Sequence, residues 1–410
     1  MNRLVLIGNG YDLAAGLETS YENFIVDYFK LLILTATQTQ DFKGDDICKI
    51  EVRRTDIILD PNNIEREVSL QPDKISDKMK RISSLDDLFK YISLNIVGYS
   101  DADEKKTIFT ITIKSTFFKQ LIGDFNWRDI EQFYFNELIK IYNSEYFENG
   151  ESRSVAFEDI AKQEKIDYEL LTLNNEFEVI KLKLAEYLRR VTIKYNKIEN
   201  KGHPPSFVGK LFEPLSIADY EKMFQGTLTY LDNKEEYSKR EIALVRILNF
   251  NYTTLLENHL KPNQVNKNPM LSVHQIHGTV DNPKEIIFGY GDDTHPMYSK
   301  LELTGNDEYL KHLKSFYYPL SENYLNLMNF IEFDQFEVQI VGHSLGLSDR
   351  VLLKSIFEHK NCRCITLKHR GRNNEKELMS SKYMALSRHF DDKVAMRKKV
   401  KPFNVGDWLH

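Results

Sequence analysis

The sequence contains few cysteines. Cys48, Cys362 and Cys364 are the only three in 410 residues, which excludes the disulfide framework of a small secreted domain. No two of them form a CxxC pair, so the cysteine sets of a zinc ribbon are excluded as well. A chain of this length can bury a large hydrophobic core without such cross-links.

The sequence also lacks long apolar runs. No segment approaches the roughly 20 apolar residues of a membrane-spanning helix. No basic segment followed by an apolar one precedes Gly8, as a secretory signal would require. We therefore expect a soluble cytoplasmic protein that does not bind membranes.

The chain also has little net charge. The formal net charge of −6 gives no general attraction to nucleic acid. A locally basic stretch lies near the C-terminus and contains Arg397, Lys398, Lys399 and Lys401. We interpret it as a solvated tail, and a surface for nucleic acid or a partner protein is the alternative.

Short apolar, strand-like runs are present at both ends of the chain. The first covers residues 4–7, and the later ones cover 245–250, 272–276, 285–288, 337–341 and 362–367. Most of them end at a glycine, asparagine or histidine, as parallel strands that are buried on both faces do. These runs predict a single parallel sheet.

The residues between the first run and the later ones have a different pattern. From about 80 to 241 the spacing of apolar residues is mostly helical. Residues 45–78 are polar and contain Pro61 and Pro72, which predicts a loop. We therefore predict an α/β fold whose parallel sheet carries helices on both faces. A large, mainly helical insertion at 31–241 interrupts the domain formed by 1–30 and 242–410.

The first strand runs into a glycine-rich turn. Gly8, Asn9, Gly10 and Gly16 are candidate nucleotide-binding residues, because such a turn lets backbone N–H groups approach a phosphate at a helix N-terminus. Gly16 would also allow the helix to pack closely on the strand. A tight turn without a ligand is the alternative. The third glycine comes too late for the GxGxxG motif of dehydrogenases, which argues against hydride transfer.

Two more polar segments follow predicted strands. Asn251 carries a carboxamide that can hold a ribose hydroxyl or a water molecule, and a helix cap is its alternative role. His277 and Gly278 close the 272–276 run. A simple turn is one alternative, and a metal site shared with His274 is another. We predict no metal, because no cysteine or glutamate set lies nearby.

A fourth segment follows the 337–341 run and contains Gly342, Ser344 and Asp349. Read as GxSxG, it would be the nucleophile elbow of an α/β-hydrolase with Ser344 as the nucleophile. That fold needs its acid and its histidine much later in the chain, and Asp349 comes too soon. We prefer a second turn that binds phosphate or ribose.

Taken together, these motifs resemble those of AbiH-like bacterial abortive-infection proteins. The resemblance is carried by LVLIGNGYDLAAGLETSY at the start, FNWRDIE at 125–131, FNYT at 250–253, IHG at 276–278, IFGYGD at 287–292 and GHSLGLSD at 342–349. Residues 30–120 and 140–240 match in helical character alone. The resemblance implies a role in phage defence, with a second copy of the chain or another defence protein as a partner.

AbiH-like proteins are in turn similar to sirtuins and to sirtuin-type NAD hydrolases. The opening glycines match the spacing of the sirtuin GAGxS…G segment, with Asp12 at the serine. Asn251 falls on the asparagine of its T-Q-N-I-D segment and His277 on its catalytic histidine, while Gly342 and Ser344 fall on its later G-[TS]-S turn. The resemblance implies a Rossmann-like, sirtuin-like sheet and NAD as the ligand.

The resemblance also implies a role for each site residue. His277, with a usual pKa of ~6.5, would act as the general base, Asn251 would hold a ribose hydroxyl or the water, and Asp12 would stabilise positive charge or orient a hydroxyl. The nucleotide would be bound by Gly8, Asn9, Gly10, Gly16, Gly278, Gly342, Ser344 and Asp349.

Departures from the sirtuin pattern narrow the expected reaction. Glu18, Tyr21 and Thr253 replace its proline, its arginine and an aspartate, and a zinc ribbon is missing. Deacylation is therefore not expected, whereas hydrolysis of NAD to nicotinamide and ADP-ribose is.

Two other functions stay open. One is a nucleotide-binding sensor without catalysis. The other is a nuclease toxin whose insertion carries Asp129 and Glu131 after Trp127. Two acids spaced two apart lie on different faces of a helix, and a helix start favours acids in any case.

Overall fold

A computed structural model gives the architecture. It describes residues 1–39, 41–52, 55–59, 65–69, 72–90, 92–95, 109–123, 130–148, 151–152, 160–197, 210–211, 213–214, 241–260, 270–368 and 375–402. Within this part of the chain, no helix is both long enough and apolar enough to cross a membrane.

The structure describes twelve strands and thirteen α-helices. The strands are β1 (Asn2–Ile7), β2 (Cys48–Val52), β3 (Thr55–Leu59), β4 (Glu65–Ser69), β5 (Ile92–Asn95), β6 (Phe109–Ile113), β7 (Phe147–Glu148), β8 (Glu151–Ser152), β9 (Leu244–Asn249), β10 (Leu271–Gln275), β11 (Phe336–Val341) and β12 (Cys362–Lys368). The α-helices are α1 (Gly10–Ala14), α2 (Tyr21–Gln38), α3 (Pro72–Arg81), α4 (Leu85–Phe89), α5 (Thr116–Gly123), α6 (Ile130–Tyr146), α7 (Ile160–Asn196), α8 (Leu255–Leu260), α9 (Pro296–Glu302), α10 (Glu322–Phe333), α11 (Arg350–Phe357), α12 (Glu375–Ser387) and α13 (Lys393–Lys399).

Five parallel strands form the main sheet, in the order β10-β9-β1-β11-β12. β1 lies at its centre, where Ile7 is in register with Val341 of β11 and Asn249 of β9. The prediction of one parallel sheet from runs at both ends of the chain is therefore confirmed. All five strands end at the same edge, which brings the loops after them together.

One predicted strand, 285–288, is wrong. Pro283–Glu285 forms a turn of 3₁₀-helix instead, which suits a proline because the first turn of a helix leaves its N–H groups without partners. The N–H of Ile287 then donates to the carbonyl of His277 at 2.9 Å. This segment therefore pairs with the loop after β10 and does not join the sheet.

Both faces of the main sheet are covered by apolar side chains from helices. Leu4 and Leu6 point to one face, where α10 and α11 contribute residues such as Phe330 and Leu353. The alternate residues Val5 and Ile7 point to the other face, which α1 and α8 cover. Each large aliphatic side chain buried in this way contributes about 1.5–3 kcal/mol, so the strands at the centre are fixed firmly.

The chain forms two compact units. One consists of Met1–Glu18 and Leu188–His410 and contains the main sheet, and the other consists of Thr19–Tyr187. The second unit contains α2–α6 and a three-stranded sheet in the order β2-β6-β5. The predicted domain limits, 1–30 with 242–410 and 31–241, stay a prediction.

The loop predicted at 45–78 is wrong, because β2, β3, β4 and most of α3 lie there. In β2, Cys48 and Ile50 are buried while Lys49 and Glu51 are exposed. This alternation is the pattern of a strand with one face in a core. The loop was predicted because residues 45–78 are polar overall and contain Pro61 and Pro72, although CKIEV carries the alternation of a strand.

Candidate functional site

The glycines after β1 and β11 bring two loops of the sheet edge into contact. The N–H of Gly8 donates to the carbonyl of Val341 at 3.0 Å, and the N–H of Gly10 donates to that of Gly342 at 2.9 Å. A Cβ atom on Gly10 would lie 2.7 Å from the Cα of Gly342, whose φ is +67°. These glycines therefore permit a close backbone contact, and the two N–H groups are already engaged in it.

Gly16 and Gly278 have local roles. Gly16 has a φ of +91° and ends α1, and a Cβ there would meet no atom within 4 Å. The expectation that it lets the helix pack closely on the strand is therefore wrong, and it serves as a left-handed helix end. At Gly278, whose φ is +76°, a Cβ would lie 2.4 Å from the carbonyl oxygen of Glu285. Asn9 is exposed just before α1.

Asp12 and Asn251, which the sequence predicts as site residues, lie side by side. The Asp12 carboxyl is buried and accepts hydrogen bonds from Thr253 Oγ1 at 2.6 Å and from Asn251 Nδ2 at 3.0 Å. Asn251 Nδ2 also donates to the carbonyl of Gly8 at 3.2 Å. Asn251 therefore ties the end of β9 to the β1–α1 turn.

The surroundings of Asp12 favour its neutral form. Burial raises its pKa to about 7, a rise that the hydrogen bond from Thr253 reduces and the nearby carboxyl of Glu257 increases. Asp12 is therefore only partly ionised near neutral pH, and it can donate a hydrogen bond as well as accept one.

A second buried cluster surrounds the carboxylate of Asp349. Lys314 Nζ lies 2.8 Å from Asp349 Oδ1, and His277 Nε2 lies 3.2 Å from the same oxygen. His343 Nε2 lies 3.5 Å from the other oxygen, Oδ2. All four side chains are at least nine-tenths buried. The structure thus joins two predicted site residues, His277 and Asp349, and adds two that were not predicted.

The charges of this cluster follow from its contacts. Burial alone would raise the pKa of Asp349, but Lys314 and His277 hold it well below its usual range. Burial and the charge of Lys314 lower the pKa of His277 to about 4, although Asp349 opposes this. At neutral pH, Asp349 is therefore a carboxylate and His277 is a neutral imidazole that can accept a proton.

Aromatic rings enclose the two histidines. Phe250 is edge-on to His277 and His343, with centroid distances of 5.2 and 4.3 Å. The Tyr318 hydroxyl lies 3.4 Å from His277 Nε2, and the Tyr252 ring lies 6.1 Å from the His277 ring. This apolar frame lowers the local dielectric, which strengthens the interactions of the charged groups inside it.

The backbone argues against the nucleophile-elbow alternative. Ser344 is exposed, as an elbow serine would be, but the residue with the left-handed backbone is Leu345, with a φ of 61°. In an elbow the serine itself occupies the strained position. Nε2 of His343 faces Asp349 and its Nδ1 accepts the N–H of Leu345, so His343 is not arranged as a base for Ser344.

The two histidines of the HxxH segment have different partners. His274 contacts Asn323 and Ser272, whereas His277 contacts Asp349. In the described part of the chain, no three His, Cys, Asp or Glu side chains are grouped to hold a metal ion. Asp129 and Trp127 of the nuclease hypothesis lie outside the described residues.

Sequence reasoning missed Lys314, His343, Thr253 and Tyr318. Lys314 lies in a turn of 3₁₀-helix without a motif, and the sequence gives no signal that a lysine there is buried. His343 did have a signal, because it lies inside the predicted GHSLGLSD motif next to Ser344.

Comparison with known proteins gives one match. No curated protein and no solved structure matches the chain, so the similarity to sirtuins rests on the motifs alone. The family model described as bacteriophage abortive infection AbiH matches residues 4–369. These residues include the loops that follow β1, β9, β10 and β11, and with them both buried clusters. The chain therefore belongs to the bacteriophage abortive infection AbiH family.

Proposed function

We propose that the protein acts in phage abortive infection by hydrolysing NAD to nicotinamide and ADP-ribose at the carboxyl edge of its parallel sheet. The observation that carries this proposal is the contact between His277 and Asp349, at 3.2 Å. It pairs a neutral imidazole with a buried carboxylate, which is the arrangement of a general base and the group that orients it.

The topology of the sheet supports a nucleotide ligand at this edge. In chain order, its strands are arranged third, second, first, fourth and fifth, which is the order of a Rossmann-like sheet. In such sheets the ligand lies outside the carboxyl ends of the strands where the order reverses. Here that point is between β1 and β11, where Gly8, Gly10 and Gly342 meet.

The proposed reaction replaces one bond to the ribose. The bond between the anomeric carbon and the nicotinamide nitrogen breaks, and nicotinamide leaves as a neutral base. The oxygen of water then bonds to the anomeric carbon, and one proton is released. With Nε2–H directed at Asp349, Nδ1 of His277 takes that proton, and Asp349 stabilises the imidazolium that forms.

We assign Asp12 and Asn251 to the ribose. Asn251 and Thr253 hold the Asp12 carboxyl beside the carbonyl of Gly8. Because the pKa of Asp12 is about 7, this carboxyl group can orient a hydroxyl as either donor or acceptor. Asn251 then acts chiefly as a positioning residue for Asp12.

The test is nicotinamide release from NAD by the purified protein, followed by chromatography. We expect His277→Ala to lower the rate by at least about a hundredfold, the usual contribution of a general base. His274→Ala is the matched control, because His274 lies on β10, three residues before His277, and contacts Asn323 instead of Asp349. An inert wild-type protein, or a His277→Ala variant as active as wild type, would remove the proposal.

A binding role without chemistry is the second candidate. It is favoured by the burial of His277, whose side chain is 4% exposed. In this role the same edge would hold NAD or ADP-ribose and change the assembly with a second copy or another defence protein. Calorimetry that shows binding of NAD without nicotinamide release would select this function over hydrolysis.

A further inference from the structure

The turn after β11 has an unusual backbone. Leu345 is the one non-glycine residue with a positive φ, 61°, in the part of the chain that the structure describes. Its side chain is also buried in the core on one face of the main sheet. A left-handed backbone costs free energy for any residue with a Cβ atom, so the surroundings must impose this conformation.

Two histidines impose it. The N–H of Leu345 donates to His343 Nδ1 at 2.9 Å, and the carbonyl of Leu345 lies 3.0 Å from Nε2 of the buried His389. The carbonyl of His343 is held by Lys382 Nζ at 3.0 Å. On its other side, the Cα of His343 lies against Gly8, where a Cβ would approach to 2.6 Å.

The contact to Leu345 determines the tautomer of His343. Because Nδ1 accepts a hydrogen bond from a backbone N–H, it carries no proton in the neutral ring. The proton is then on Nε2, which faces Asp349 Oδ2 at 3.5 Å. The other oxygen of Asp349 is left to His277 and Lys314.

We propose that His343 is a second functional histidine of this site, a positioning residue that the Leu345 turn aims at Asp349 so that Asp349 presents its other oxygen to His277. The part of this inference that concerns catalysis rests on the proposed function. The placement of His343 and its effect on His277 do not.

The pKa of His277 depends on this arrangement and can be used to test it. The groups that face it are Asp349, Lys314, His343 and the hydroxyl of Tyr318. Without His343, Asp349 has one partner fewer and attracts a proton on His277 more strongly. His343 lowers the pKa of His277, so its removal raises that pKa above its value of about 4.

Two substitutions separate the two contacts of His343. Asn in its place can still accept the N–H of Leu345 but is too short to reach Asp349. Gln can still donate to Asp349 but lacks the acceptor for the turn. We therefore expect H343N to raise the pKa of His277 and to keep the melting temperature closer to wild type. We expect H343Q to keep the pKa and to lower the melting temperature.

The measurement is NMR titration of protein with labelled histidine rings, with His277 identified by its loss in His277→Ala. An unshifted His277 in H343N, or an equal shift in H343Q, overturns the proposal. The ¹⁵N shifts of His343 in the wild type provide a test that needs no variant. A proton on Nδ1 overturns the proposal even where H343N does not fold.

The pH dependence of nicotinamide release adds the catalytic readout. We expect H343N to move the acid limb of the kcat profile upward and to lower kcat about a hundredfold with little change in KM. A shifted His277 titration without any nicotinamide release removes the proposed function and leaves this placement of His343 standing. If nicotinamide is released but H343N changes neither the titration of His277 nor the pH profile, the proposed function stands and this role of His343 is removed.

Discussion

The two carboxyl groups of the site are held in opposite states by their neighbours. Lys314 and His277 keep Asp349 ionised in spite of its burial. Asp12 is buried against the neutral groups of Asn251 and Thr253, and its pKa is about 7. An environment that moves the pKa values of neighbouring acids apart assigns them different tasks. Asp349 is therefore suited to orient a base, and Asp12 to bind a hydroxyl.

The raised pKa of Asp12 makes a prediction about stability. A carboxyl group whose pKa rises on folding binds more protons in the native state, so it destabilises the protein increasingly as pH rises from about 4 to 7. Asp12→Asn removes this contribution and keeps the shape of the side chain. We expect the melting temperature of the variant, relative to wild type, to increase from pH 5 to pH 8. A difference in melting temperature between the two proteins that does not change with pH would contradict the raised pKa of Asp12.

The ion pair of Lys314 and Asp349 makes a second prediction. Asp349→Asn leaves the Lys314 ammonium buried without its carboxylate, which costs about 3–5 kcal/mol. Adding Lys314→Met removes that charge, so the double variant should be more stable than Asp349→Asn alone. Urea denaturation measures the free energy of unfolding of the single and the double variant.

Asp391→Asn is the matched control for that pair. Asp391 contacts Lys354 at 2.5 Å but is 67% exposed, so its loss should destabilise the protein far less than Asp349→Asn does. A double variant no more stable than Asp349→Asn would contradict the ion-pair interpretation.

Elements with a clear apolar pattern could be predicted from the sequence. The strands of the main sheet are short, apolar runs because helices cover both of its faces. For that reason, four of the five runs predicted after residue 240 are strands of this sheet. The run at 285–288 has the same composition. The N–H of Ile287 donates to the loop after β10, and no local pattern indicates such a distant contact. β2 does carry the alternating pattern of a half-buried strand, but it was missed because the segment around it is polar and contains Pro61 and Pro72.

The site could also be predicted only in part from the sequence. Parallel strands end at one edge, so Asp12, Asn251, His277 and Asp349 could be expected near one another. Their division into two clusters could not, because it depends on partners such as Thr253 for Asp12 and Lys314 for Asp349, which no motif indicates. Lys314 reaches Asp349 from a segment 35 positions earlier in the chain, a distance over which spacing carries no information.

The contact between the β1–α1 turn and the loop after β11 makes a prediction at the level of elements. A Cβ at residue 10 would meet backbone atoms of Gly342, which cannot move aside as a flexible side chain can. Gly10→Ala should therefore destabilise the protein by about 1–3 kcal/mol. Gly16→Asn is the control, because Asn tolerates a left-handed helix end and the space there is open. Thermal unfolding distinguishes them, and equal losses would contradict the close contact.

At the scale of the whole molecule, the sheet unit is made from both ends of the chain. The chain leaves it after Glu18, six residues beyond Asp12, and returns at Leu188. The chain's membership of the abortive infection family places this architecture in phage defence. Hydrolysis of NAD suits that role, because every infected cell depends on NAD and the phage cannot replicate without the host's metabolism.

The infected cell provides the last prediction. Bacteria that express the wild-type protein should lose NAD and gain nicotinamide after phage infection, and the phage yield should fall. His277→Ala should abolish all three changes, since it removes the proposed base, whereas His274→Ala should preserve them. Equal amounts of the three proteins must be shown by immunoblot. If His277→Ala protects the culture while NAD stays constant in every strain, defence proceeds without hydrolysis, and the binding role of the same sheet edge takes its place.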